Sequence, residues 1–89
     1  MGYGMVSKEM QRASIVALYK QNPTRPIVYL DSESGEATAS FVDTWHVPEH
    51  QLIPVNFDAS AIDAIKSSFP NVKGRVGNID QVVHDSANE

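Results

Sequence analysis

The sequence lacks cysteine and any long apolar run. Without thiols, the chain has no disulfides, thiolate nucleophiles, iron–sulfur clusters or cysteine-ligated zinc sites. No stretch approaches the roughly 18 consecutive apolar residues that a membrane-spanning helix needs. The first eight residues also lack the basic start and apolar run of a secretory signal. We therefore expect a cytoplasmic protein with no membrane association, whose core alone supplies its stability.

A second absence concerns positive charge. Residues 26–65 contain no lysine or arginine. Their seven carboxylates are Asp31, Glu33, Glu36, Asp43, Glu49, Asp58 and Asp63. Residues 1–25, by contrast, hold four cations against one carboxylate, and the net charge of the chain is −4. If the acidic side chains share a face, that face repels nucleic acid and attracts a basic protein surface. The ordinary explanation for several of them is that carboxylates flank turns and cap helices.

Length and composition are those of one folded domain. The chain has 89 residues, of which 42% are hydrophobic and 20% charged. A chain of this size buries only roughly 60% of its unfolded surface and supports one core. We expect a single domain over residues 1–89.

The amino-terminal part predicts a helix and then a β-hairpin. Ser7 is a suitable N-cap for a helix over 7–21, with apolar residues at helical spacing. The β-branched and aromatic run 27–30 predicts a strand, and the polar segment 31–35 predicts the turn of a hairpin. Alternate residues of 37–47 are apolar, which predicts a second strand.

The remaining chain predicts one more strand, a helix and an extension. Residues 52–57 form a strand candidate that Pro54 assigns to a sheet edge, where partners can add. Asp58 is placed to cap the following helix, with Phe57 packing onto Ile62. A short strand and a short helix complete the chain. The fold class is α+β: a small antiparallel sheet of about three strands packed against two helices, in the order α-β-β-β-α with a C-terminal extension.

The segment from His46 to His50 carries the most specific local pattern, two histidines and a glutamate in an H-x-x-E-H arrangement. In metalloproteases this arrangement lies within a long helix, whereas Pro48 interrupts it here. A looser metal site built from His46, His50 and either Asp43 or Glu49 is an alternative function. Otherwise the segment is a solvated loop.

Gly74 and Gly77 bracket Arg75-Val76 and follow Lys73. This G-x-x-G pattern resembles the loop with which KH domains clamp a nucleic-acid backbone. The resemblance implies nucleic-acid binding through the Gly74–Gly77 loop as a second alternative. The other explanation is that the glycines supply turn geometry.

The sequence favours a non-enzymatic function. It has no nucleophile elbow and no phosphate-binding glycine loop, so we expect no catalytic residues and no cofactor. We predict a small acidic protein-binding module, acting as an adaptor, inhibitor or assembly subunit, that docks on a basic partner surface. Nucleic acid is a less favoured partner, and the sequence leaves the oligomeric state open. The predicted contact residues are Glu33, Glu36, Asp43, Trp45, His46, Glu49 and His50.

Overall fold

Strands and helices alternate along the chain after the first helix. The computed structural model describes residues 8–32 and 34–87. In chain order the elements are α1 (Lys8–Gln21), β1 (Ile27–Leu30), α2 (Glu36–Ala39), a π-helical turn (Ser40–Thr44), a 3-10 turn (Glu49–Gln51), β2 (Leu52–Asn56), α3 (Ala59–Ser68), β3 (Arg75–Val76) and α4 (Ile79–Ala87). Such alternation is typical of a parallel sheet, because each helix returns the chain to the end of the sheet where the preceding strand began.

The three strands form one parallel sheet in the order β1-β2-β3. Ile27 pairs with Leu52, and the register continues to Leu30 opposite Val55. The prediction of an antiparallel sheet built from a hairpin is therefore wrong, although the mixture of helices and strands is as expected. Among the described residues, no helix is long and apolar enough to cross a membrane.

The predicted second strand, 37–47, is helical instead. Its apolar residues Ala37, Phe41 and Trp45 are spaced four apart, a spacing that fits both a strand face and a helix face. Thr38, which the strand prediction placed on the polar face, is fully buried. Helix α2 and the π-helical turn thus provide the crossover between two parallel strands.

Strand β2 occupies the centre of the sheet, so the edge position predicted from Pro54 is also wrong. The amides of Lys73 and Gly77 donate to the carbonyls of Leu52 and Asn56. Backbone direction alternates along a strand, so Pro54 also faces β3. Since β3 has only two residues, the missing N–H group disturbs a very short ladder.

Two apolar clusters cover the two faces of the sheet. The larger contains residues from α1, the sheet, the π-helical turn, α3 and two connecting loops: Val16, Ile27, Tyr29, Phe41, Val47, Leu52, Ile62, Ile65 and Val72. The smaller joins Ile53 and Val55 of β2 to Val82 of α4. One face therefore carries most of the core, and α4 covers the other.

The helix boundaries largely follow the predicted caps. Asp58 caps α3 by accepting from the Ser60 amide, as predicted. Phe57, however, is 72% exposed and does not share the burial of Ile62. The predicted Ser7 cap of α1 lies outside the described residues.

Candidate functional site

The outer edge of β1 presents backbone groups that nothing else in the described chain uses. The Asp31 amide donates to the Val55 carbonyl, so alternate residues of β1, Tyr29 and Ile27, also face β2. Val28 and Leu30 consequently direct their N–H and C=O groups away from the sheet. Because β1 is the terminal strand, no described strand pairs with them. These groups form a template for an added strand.

Helix α1 runs antiparallel to β1 and exposes apolar side chains beside it. Leu18 is 67% exposed and Leu30 is 57% exposed, with Ile15 between the two clefts described below. Of the fourteen residues of α1, only Val16 is buried. The helix thus contacts the core through a narrow strip and leaves an apolar surface facing solvent. The side chains of Val28 and Leu30 lie on the opposite face of the sheet, the face that α4 covers. We call Ile15 and Leu18 on one side of β1, with Val28 and Leu30 on the other, the β1 edge surface.

Two clefts follow β1 from one end to the other. A cleft of about 350 Å³ lies at its carboxyl end, between the first turns of α1 and residues 29–32. A second, of about 440 Å³, lies at its amino end, between the last turns of α1 and residues 25–28. Ile15 lines both clefts. Together they form an open groove along the strand that has the unpaired backbone groups.

A buried carboxylate fixes the carboxyl end of β1. Asp31 is 3% exposed and accepts from the amides of Thr38 (3.0 Å) and Ala37 (3.3 Å) at the start of α2. Gly35 makes the preceding turn possible with a left-handed φ of 71°. Asn56 Nδ2 donates to the Asp31 carbonyl at 2.8 Å, which joins this turn to the end of β2. Buried groups that are satisfied in this way hold a segment rigidly.

A hydrogen-bonded chain extends from Asp31 into the larger core. The Thr38 hydroxyl donates to Asp31, so it accepts from the Tyr29 hydroxyl, whose oxygen lies 2.6 Å away. Burial raises the pKa of the Tyr29 phenol well above its ordinary value, and the nearby Asp31 charge adds to this shift. Tyr29 also meets Phe41 edge to face, with ring centroids 5.0 Å apart. The edge strand is therefore anchored from beneath.

Helix α1 is held in place by polar contacts near its first turn. Arg12 Nη1 lies 2.9 Å from Glu9 Oε1, and Arg12 Nη2 lies 3.7 Å from Glu36 Oε1. The Ser40 hydroxyl donates to Glu9 Oε1 at 3.2 Å. The Arg12 side chain is only 11% exposed. These contacts join α1 to the crossover helix.

The predicted acidic contact residues that the structure describes do not form a free acidic face. Glu36 pairs with Arg12, and Glu49 accepts the Asn71 amide at 3.1 Å. Asp43 is exposed near the end of the π-helical turn. Glu33 lies outside the described residues. Two of these four carboxylates thus have local partners.

Trp45, His46 and His50 complete the predicted contact set, and they lie in different surroundings. Trp45 packs against the larger core cluster, and its buried Nε1 has no hydrogen-bond partner among the described residues. His46 has a left-handed φ of 57°, after which the Val47 amide donates to the Phe41 carbonyl. His46 therefore has a structural part in ending the helical segment. His50 is exposed on the 3-10 turn.

The two alternative sites gain no geometric support. Within residues 8–32 and 34–87, no three histidine or carboxylate side chains come together as metal ligands. In the Gly74–Gly77 segment, Arg75 and Val76 form β3 and the Gly77 amide donates to Asn56. A Cβ on Gly74 would lie 2.7 Å from Ile62 Cγ2, so this glycine permits close packing on α3. The backbone of the Gly74–Gly77 segment therefore takes part in the sheet.

The sequence predicts one apolar stripe on α1, widened by Ile15, Leu18 and Tyr19, and this stripe does not separate core residues from those that remain exposed. A signal was present: Val16 and Tyr19 are three apart, and Ile15 and Leu18 form a neighbouring pair with the same spacing. When the core of a protein buries only a narrow part of a helix's wide apolar surface, the rest of that surface is available for another contact.

Comparison with protein families, curated proteins and solved structures finds no match to this chain.

Proposed function

We propose that this protein is a non-enzymatic protein-binding module that takes up an extended segment of a partner as an additional strand along β1. The observation that carries the proposal is the outward direction of the Val28 and Leu30 backbone groups on a terminal strand. Strand addition uses such groups for affinity and the neighbouring pockets for specificity. The groove beside β1 supplies those pockets.

The expected affinity is modest. An added strand gains up to four backbone hydrogen bonds, each of about 1 kcal/mol net. Covering Leu18 and Leu30 adds at most about 1.5–3 kcal/mol for each side chain. Association and ordering cost about 4–15 kcal/mol, so only a surplus is observed. We expect a Kd in the micromolar to millimolar range for a short segment.

The proposed function is of the predicted class, protein binding, but the contact surface is the edge of β1 instead of the acidic contact set. The predicted contact set was chosen for its charge, and two of its described carboxylates, Glu36 and Glu49, have partners within the chain. The expectation that a partner adds to an edge strand is retained, but the edge belongs to β1.

The test is selection of phage-displayed ten-residue peptides on the full chain. Because Leu18 and Leu30 lie on opposite faces of β1, we expect selected peptides to carry apolar residues on both faces of the added strand. On binding, the largest NMR shifts should occur at the amides of Val28 and Leu30. Replacing Leu30 by proline removes only an outward donor, so Leu30→Pro should lose at least tenfold in affinity while circular dichroism stays unchanged.

A matched control exists on the opposite edge. Val76 also faces away from β2, since Lys73 and Gly77 face it, and Val76→Pro removes the equivalent donor of β3. We expect Val76→Pro to bind the peptides as the wild type does. If the peptides bind Leu30→Pro as well as they bind the wild type, β1 is not the docking strand and the proposal is wrong.

A further inference from the structure

Strand β1 offers outward hydrogen-bonding groups over a short and limited length. Val28 and Leu30 direct both their amides and their carbonyls away from the sheet. The next positions in this alternation are Pro26, which has no N–H group, and Ser32, whose carbonyl accepts a backbone amide of the following turn. The outer edge therefore has two complete hydrogen-bonding residues, with Tyr29 between them. A partner strand that uses all of these groups needs two such residues at the same spacing.

A second copy of β1 has this spacing. In an antiparallel pair, residues that exchange two backbone hydrogen bonds alternate with residues that exchange none. When Val28 of each copy lies opposite Leu30 of the other, a two-fold axis passes between the two Tyr29 residues and every outward group is paired. A shift of two residues in one direction leaves the Leu30 carbonyl opposite Pro26, which has no donor. A shift in the other direction places Val28 opposite Ser32, whose carbonyl is already used.

The same pairing covers apolar side chains on both faces of the sheet. All four residues of β1 are apolar or aromatic. On the face that α4 covers, Leu30 of each copy is 57% exposed and lies beside Val28 of the other, and such cross-strand pairs stabilise a sheet. On the opposite face, Ile15 lines both clefts and is therefore near the two-fold axis, while Leu18 of each α1 faces the other copy. An added strand needs apolar groups on both faces, and β1 supplies them.

Charges at the ends of this contact do not oppose it. Antiparallel pairing brings Arg25, at the amino-end cleft of one copy, towards the carboxyl-end cleft of the other. That cleft is lined by two cations and two carboxylates: Lys8, Arg12, Asp31 and Glu36. The described residues thus place no excess of one charge sign in the cleft that Arg25 approaches.

We propose that the added strand is β1 of a second copy of this chain, paired antiparallel about a two-fold axis beside Tyr29. This inference rests on the proposed function, since it names the partner of the same edge. Two three-stranded sheets become one sheet in the order β3-β2-β1-β1-β2-β3. Among the described strands, only the two copies of β3 remain as edges, and each has two residues, one of which is Arg75. Short, charged edges resist further pairing, so the assembly closes at two copies.

Sedimentation equilibrium of the full chain measures this association. We expect the mass to rise with concentration to twice that of one chain, with a Kd between about 1 μM and about 1 mM, because a small interface is weak. Leu30→Pro occurs twice in each dimer, so the tenfold loss expected for a peptide becomes a loss of about 100-fold in dimer affinity. Val76→Pro is the matched control and should dimerise as the wild type does. A dimer that Leu30→Pro leaves intact would overturn the inference.

A second pair of variants keeps the backbone of β1 intact. Leu18→Gln removes an apolar side chain that is 67% exposed, and it should weaken the dimer by about tenfold or more because each dimer loses two such contacts. Phe57→Gln is the matched control, since Phe57 is 72% exposed and lines neither cleft. It should dimerise as the wild type does. Equal weakening in the two variants would show non-specific apolar association and overturn the inference.

NMR of a mixture of isotope-labelled and unlabelled protein tests the register. The two Tyr29 residues form a non-hydrogen-bonded pair, whose Cα atoms lie about 4.5 Å apart. We expect an isotope-filtered NOE between their Hα protons, together with intermolecular NOEs between the side chains of Val28 and Leu30. Intermolecular NOEs that place other residues at the contact would overturn the inference.

The remaining outcomes separate the inference from the proposed function. If the chain stays monomeric up to about 1 mM while selected peptides bind it and do not bind Leu30→Pro, strand addition holds and a second copy is not the partner. If neither a peptide nor a second copy binds, both are wrong. Where the chain dimerises, a selected peptide should dissociate the dimer. Binding of a peptide to the intact dimer would place the two contacts on different surfaces and overturn the inference.

Discussion

The two edges of the sheet are built differently. Strand β1 has four residues, exposes Leu30 and lies beside a groove lined by α1. Strand β3 has two residues, one of which is Arg75, and both are exposed. Proteins commonly protect a sheet edge by making its strand short and placing a charge on it. By this criterion β3 is protected and β1 is open.

This difference indicates where the protein accepts a partner. An open, apolar edge promotes aggregation unless something covers it. Here it is rigid, because Asp31, Tyr29 and Phe41 anchor β1 from below. A rigid edge also loses little entropy when a strand is added.

The largest effect is expected from removing the anchor of β1. Asp31→Ala leaves the buried amide of Thr38 without its charged acceptor, so the free energy of unfolding should fall by about 3 kcal/mol. Urea denaturation measures this change. The exposed Asp63→Ala is the matched control and should stay within about 0.5 kcal/mol of the wild type. Similar losses in the two variants would mean that the Asp31 carboxylate does not hold the edge.

A smaller effect is expected at the protected edge. In Gly74→Ala the new Cβ must displace Ile62 Cγ2, which costs about 1–3 kcal/mol through overpacking. Combining it with Ile62→Ala should remove most of that additional cost, as urea denaturation of the four proteins in a double-mutant cycle will show. Peptide binding at β1 should be unchanged in Gly74→Ala. Loss of binding there would contradict the independence of the two edges.

The smallest effect concerns the exposed cap of α3, the helix beneath β3. The hydroxyl and amide of Ser60 hydrogen-bond to Asp58 and lower the pKa of its carboxyl below its ordinary 3.8. The folded protein therefore binds this proton less readily than the unfolded chain. The cap's contribution is fully present above about pH 5 and is lost as the pH falls through the lowered folded pKa. Asp58→Ala should be less stable than the wild type at pH 6, with the difference vanishing towards pH 2.

Urea denaturation at a series of pH values measures this dependence. Asp58→Asn keeps a cap that does not titrate, so its stability relative to Asp58→Ala should not change with pH. A constant difference between the wild type and Asp58→Ala from pH 6 to pH 2 would refute the assignment.

The sequence indicated the elements that local rules control. The helix over 7–21, the strand 27–30 and the cap at Asp58 agree with the structure within a residue or two where it describes them. These depend on proline, β-branched residues and capping side chains, which act over a few residues. The segment 37–47 is helical although its alternation predicts a strand, because spacings of four fit both periods; burial of Thr38 agrees with the helix and not with the predicted polar face.

The arrangement of the strands required information that no local pattern contains. Pro54 normally marks an edge, yet it is central here because its missing donor faces the two-residue β3. The edge position of β1 follows only if the segment 37–47 is a helical crossover and not a strand. The acidic residues were visible in the sequence, but their partners Arg12 and Asn71 are distant along the chain.

The position of the Asp31 carboxylate has a consequence for ligands of another kind. In parallel sheets, the start of the helix after the first strand is where nucleotide phosphates commonly bind. Here the chain's own carboxylate takes the amides of Ala37 and Thr38 that face this position. The protein thus carries its own carboxylate at a position where other parallel sheets bind a phosphate. A bound phosphate would accept these amides only while it is present, whereas the Asp31 carboxylate accepts them in every folded molecule.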